Sequence, residues 1–154
     1  MEWLKPVLDL AQWRANIDRQ SRTELNHSRA TALHGLLDLM AALEIRVRSR
    51  EIHRWEIERD LRSISGYCIS NKPWMESGHL RATREWSESI MFIDDAMMHI
   101  TVDELTNFKN TWPPVSPDEV KRHFKRMQAA EASLIAALRR AMRKSGTGTD
   151  SATP

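Results

Sequence analysis

Residues 33–64 read LHGLLDLMAALEIRVRSREIHRWEIERDLRSI, and the fold turns on where the apolar face of this stretch stops and restarts. Leu33, Leu36, Met40, Leu43 and Val47 recur every three or four residues and share one face of a helix. Continued without a break, that face would carry Arg50 and Arg54, while Ile52 and Trp55 would fall off it. The stripe resumes at Ile57, Leu61 and Ile64. A packed helix does not bury two unpaired arginines, so a long helix starting near Ser21 is predicted to kink or end between Val47 and Ile52. The other reading is a seam where the helix meets something outside its own bundle, which makes Arg50, Ile52, Arg54 and Trp55 candidate partner-binding residues.

The charges in this stretch do not converge. His53 lies at the border of the second stripe, while Glu51, Glu56, Glu58 and Asp60 spread around the rest of the helix. They read as a salt-bridged surface, with Arg54 and Glu58 as an i,i+4 pair.

Outward from here the signals remain helical. Gly (5) and Pro (6) are sparse in 154 residues, which disfavours a fold rich in turns. Three capping boxes predict helix starts: Ser21 with Glu24, Thr101 with Glu104, and Ser116 with Glu119, the last followed by Pro117 at the first helical position. Trp3, Val7, Leu10, Trp13 and Ile17 predict a short amphipathic helix over residues 3–19, docked on the core by its apolar face. SGYCISNKPWMES, residues 65–77, reads as the longest internal connection, with Tyr67 and Trp74 lidding the core. A helix over 79–100 should bury Trp86, Ile90, Ile93 and Met97, followed by a short helix over 101–110, a rigid turn NTWPPVSP and a last helix over 117–144. The sum is an all-α bundle of five to six helices in one domain, residues 1–144, with a long, kinked second helix and a disordered tail over 145–154.

Cys68 is the single cysteine, which excludes an internal disulfide and a Cys-based zinc cluster and fits a reducing compartment. No secretory signal is legible at the N-terminus, and no run of 18 apolar residues exists, so a soluble cytoplasmic protein with no membrane span is expected. Charge is uneven behind a net value of +2: residues 65–115 hold four basic and seven acidic side chains, residues 116–144 eight basic and three acidic. This asymmetry suits an acidic partner unless the two segments pair internally.

Four kinds of site follow from the residues. His34 with Asp38 and Asp95 with His99 have i,i+4 spacing for a metal, but both pairs fall opposite the apolar faces, and Glu24 with His27 is the single Glu-x-x-His. Lys121, Arg122, Lys125 and Arg126 form a basic cluster suited to phosphates, with Asp94, Asp95, Asp103 and Glu104 as the acidic partners of an internal pairing. Arg139, Arg140, Arg143 and Lys144 form a second cluster, which compensates the helix dipole. In the last helix Val120, Phe124, Met127, Leu134, Leu138 and Ala141 make a bundle seam that Glu131 interrupts, where it would fix register by pairing with an arginine.

The pairs Arg22 with His27, Arg29 with His34 and Arg48 with His53 have Arg-x4-His spacing, with Thr23 or Ser49 as the polar residue after the arginine. This resembles the motif of HEPN domains, small helical ribonucleases. The resemblance implies proton transfer at a ribose hydroxyl by the histidine and phosphate neutralisation by the arginine, usually across a dimer. The residues themselves favour a simpler reading: a non-enzymatic helical module, without cofactor, that binds a protein partner or assembles with itself through surfaces rich in Trp and Met, with nucleic acid as a secondary contact of its basic last helix.

Overall fold

The computed structural model describes residues 4–106 and 116–146, with side chains over 12–98 and 116–146. Helix α1 spans Leu4–Arg48, α2 Arg54–Ser70, α3 Ser77–Thr106 and α4 Pro117–Ser145, with a single 3-10 turn at Lys72–Trp74. Among the described residues there are thus four α-helices and no strand, fewer helices than the sequence led us to expect.

Two of the three capping boxes account for that difference. Helix α1 runs through Ser21 and α3 through Thr101. Neither site is preceded by a proline or glycine, and a cap worth about 1 kcal/mol cannot start a helix where the preceding one has no reason to stop. Gln20 donates to the Glu24 carboxylate at 3.3 Å, so Glu24 is engaged one turn along the helix instead. At Ser116 the chain does enter a helix, with Ser116 as N-cap and Pro117 first inside it.

The break after Val47 falls within the interval expected from Arg50 and Arg54. Helix α1 stops at Arg48, Arg50 takes a left-handed conformation at φ 57°, and α2 resumes at Arg54. His53 is the N-cap, and its N–H donates to the Glu56 carboxylate at 2.8 Å. That bond, reinforced by Arg46, holds Glu56 below the usual carboxylate range. Beyond the break, Ile57 and Ile64 lie in the interior, fully buried beside Leu36, Met40 and Leu43.

Residues 65–70 belong to α2 rather than to a loop. Gly66 faces outward at a cost of about 1 kcal/mol, while Ile64 and Cys68 on the inner face are buried and hold the helix in place. Helix α2 ends at Asn71, whose side-chain amide donates to Tyr67 O at 2.9 Å. Tyr67 and Trp74 pack against the core as expected.

The helices run up-down-up-down, each antiparallel to the next. Tyr67 Oη donates to Ala32 O at 2.9 Å between α2 and α1, and Trp86 Nε1 to Glu131 at 3.0 Å between α3 and α4. Helix α4 lies between α1 and α3 with extensive contact to both, whereas α2 touches its neighbours more sparsely. Trp86, Ile90, Ile93, Met127 and Leu134 fill the centre, and Met97 is half-buried at its edge.

The docked N-terminal helix is not observed. Trp13 and Ile17 are 58% and 41% exposed, since α4 ends at Ser145, level with Asn26, and leaves the start of α1 without a neighbour among the described residues. The Trp3, Val7 and Leu10 side chains, most of NTWPPVSP and the tail beyond Gly146 lie outside the described residues.

Candidate interaction groove

Helices α2 and α3 are clasped at one end and parted at the other. Arg54, in the first turn of α2, bonds Asp94 at 3.2 Å and Glu58 at 3.3 Å, and also pairs with Asp95. Beyond Leu61 the two helices leave a cavity of about 410 Å³. Ile64, Cys68 and Thr83 are its buried base, Ile69 stands 71% exposed beside it, and Lys72 and Arg84 bring positive charge to its lining. No acidic side chain lines it, and neither cation is ion-paired among the described residues. Burial pushes the Cys68 thiol up, against a hydrogen bond with Thr83. A buried thiol with a raised pKa is packing rather than a nucleophile.

The residues singled out near the helix break are dispersed. Arg50 and Ile52 line a smaller hollow of about 190 Å³ with Val47, Asp94, Met97 and Met98. Arg54 is committed to its three carboxylates. Trp55 is 60% exposed on another side of α2, with the Arg59 guanidinium 5.4 Å from its ring centroid.

On α4, Lys121, Arg122 and Lys125 are exposed, and Arg126 lies 3.7 Å from Glu88. Asp94 and Asp95 are therefore not the partners of this cluster: Arg54 on α2 is nearer and takes both. The Asp103 and Glu104 side chains lie outside the described residues. His123 stacks on Phe92 with ring centroids 4.0 Å apart, and its Nδ1 is 3.2 Å from Ser89 Oγ. Phe124 is half-buried under the Arg48 guanidinium, 5.4 Å away. The aromatic groups near the basic cluster are thus engaged within the bundle.

The Arg-x4-His pairs stay apart within the chain. Arg22 and His27 are exposed on α1. Arg29 donates to Trp74 O at 3.1 Å and pairs with Glu76 at 3.0 Å, and His34 pairs with Asp38 at 3.2 Å on the open face of α1. Arg48 is held by Glu44 at 2.7 Å, while His53 caps α2. For the metal reading, no group of three or more His, Cys, Asp or Glu side chains suited to a metal occurs among the described residues. Asp95 is taken by Arg54, and the His99 side chain lies outside the described residues.

Two features went unread in the sequence. Glu131 does interrupt the α4 seam, but its partners are Trp86 Nε1 and the Glu44 carboxyl, with Arg48 nearby rather than bonded. Burial and the hydrogen bond with Glu44 raise Glu131 to about 7, well above the ordinary carboxylate range. Second, His79 is 6% exposed at the start of α3, where its Nδ1 accepts the Glu76 N–H at 3.0 Å. The three-residue spacing of Glu76 and His79 was the available signal. No helix of the described residues is long and apolar enough to cross a membrane. Comparison of the chain with protein-family models, curated proteins and solved structures yields no match.

Proposed function

We propose that this chain is a non-enzymatic cytoplasmic interaction module that receives an amphipathic helix with an acidic flank in the groove between α2 and α3. The observation that carries this reading is the groove itself: apolar, bordered by Lys72 and Arg84, and free of acidic side chains. Along α2 from Leu61 to Ile69 it runs for about 12 Å at 1.5 Å per helical residue, room for about two turns of a partner. Such a partner would set its i, i+3, i+4 and i+7 side chains against Leu61, Ile64, Ile69 and Leu80, with its carboxylates toward the two cations. Like charge would be turned away, which gives selectivity.

The test is fluorescence anisotropy with two labelled amphipathic peptides, one of Leu and Glu and one of Leu and Lys. Saturable binding of the acidic peptide alone is expected, weakened at least tenfold, about 1.4 kcal/mol, by Ile69→Glu. Equal binding of both peptides, or indifference to Ile69→Glu, would overturn the proposal.

A further inference from the structure

A second cavity lies on other elements of the bundle. It occupies about 50 Å³ where the middle of α1, the start of α3 and the end of α4 meet. Asn26 and Arg29 come from α1, Glu76 and His79 from the start of α3, and Arg140 and Lys144 from α4. Three cations therefore border a space that also holds one carboxylate. Glu76 is occupied with Arg29, which Trp74 O also fixes through Nε, so the guanidinium is held in place. Arg140 and Lys144, one turn apart, are not ion-paired among the described residues.

His79 makes this more than a cluster of surface charge. Its Nδ1 accepts the Glu76 N–H, which in the neutral ring places the proton on Nε2 and makes Nε2 a donor. Every buried polar side-chain atom among the described residues has a hydrogen-bond partner, yet Nε2 has none. Nε2 must therefore reach open space, and the space that this 6%-exposed residue lines is the cavity. The positive end of the α3 dipole adds to the same field.

We propose that this cavity binds a phosphate group, held by Arg29, Arg140 and Lys144 with Asn26 and His79 Nε2 as neutral donors. The site is about an eighth of the α2–α3 cavity's volume, a size suited to a compact oxyanion rather than a nucleoside. Three cations against one carboxylate suit a dianion better than a monoanion. Burial, opposed by Glu76 and reinforced by Arg29 and Arg140, holds the empty-site His79 below its ordinary range. A bound dianion reverses that balance.

Thermal unfolding of the full chain is followed while inorganic phosphate is titrated at constant ionic strength, with potassium chloride as the counter-salt. A saturable rise in Tm is expected, with affinity reduced at least tenfold in the double variant Arg140→Gln, Lys144→Gln and unchanged in Lys121→Gln, Lys125→Gln at the other end of α4. NMR titration of the unmodified protein supplies a readout independent of any variant, since the His79 midpoint should move up when phosphate is present. A 5′-phosphorylated oligonucleotide and its unphosphorylated counterpart separate the sources. Competition with inorganic phosphate by the phosphorylated form alone assigns the site to phosphomonoester ends, and no competition by either assigns it to free phosphate. A Tm response equal in parent and Arg140→Gln, Lys144→Gln, an unmoved His79 midpoint, or equal competition by both oligonucleotides overturns the proposal.

Discussion

On the side facing α1, helix α2 is locked along its length: Arg46 reaches Glu56 at 2.9 Å and Asp60 at 3.0 Å, and Tyr67 closes against Ala32 near the far end. On the side facing α3 it is clasped at its first turn by Arg54 and then parts from its neighbour over a cavity. Both flanks carry cations, but those toward α1 are spent on carboxylates of the same chain, whereas Lys72 and Arg84 have no carboxylate partner among the described residues. Paired charge fixes geometry, and unpaired charge beside an apolar surface is what a partner can use. The α1, α3 and α4 trio carries most of the sealed core, so the α3-facing side of α2 is the place where the bundle can be engaged without being taken apart.

The strongest way to break this asymmetry is at Gly35. A Cβ there would run into Tyr67 Oη and Cζ, so the two helices approach as closely as glycine permits. Gly35→Ala should displace the Tyr67 ring, remove its bond to Ala32 and cost about 2 kcal/mol in urea denaturation. Gly66 on the outer face of α2 has nothing within 4 Å of an added Cβ. Gly66→Ala should therefore stabilise by about 0.5–1 kcal/mol, opposite in sign on the same helix.

The trio has a weakness of its own at Glu131. Its carboxyl is raised from 4.5 to about 7, so between these values the folded state holds a proton that the unfolded chain has released. Stability from this group is complete below the lower value and is lost as pH rises through about 7. A shift of that size corresponds to about 3 kcal/mol, which partial solvent access reduces to about 1–2 kcal/mol. Urea midpoints measured from pH 5 to pH 8 should fall in the parent protein. They should stay nearly level in Glu131→Gln, whose amide still offers an oxygen to Trp86 and an N–H to Glu44. A parent curve that rises over this range would exclude the raised Glu131 carboxyl.

How much of this the sequence disclosed depends on the range of the interaction. The break after Val47 was legible because an unbroken helix would carry Arg50 and Arg54 on its apolar face, a conflict written among near neighbours. The helix count was not, because Ser21 and Thr101 carry valid local caps and only the uninterrupted chain on either side decides whether a cap is used. The sparing of Gly66 was hidden for a related reason: burial of Ile64 and Cys68 outweighs one unfavourable propensity. Glu131 stood out in its seam, yet the choice of Trp86 and Glu44 as partners is set by helices 45 and 87 residues away in the chain. The groove depends on how far two helices diverge, which no periodicity encodes.

The smallest effects sharpen the comparison most directly, because they set equal chemistry in unequal surroundings. Removing Arg54 strands Asp94, which is only 15% exposed and has no other cation bonded to it among the described residues, so Arg54→Ala should cost about 1 kcal/mol. Removing Arg84 strands nothing, and Arg84→Ala should leave stability within about 0.5 kcal/mol of the parent. The two variants should also differ in where the chain opens. Hydrogen exchange at the first turns of α2 should accelerate in Arg54→Ala, because the clasp to α3 is gone, and remain as in the parent in Arg84→Ala. Equal losses of stability in the two variants would mean that Arg84 has structural work after all, and the proposed docking groove would lose half of the charge assigned to it.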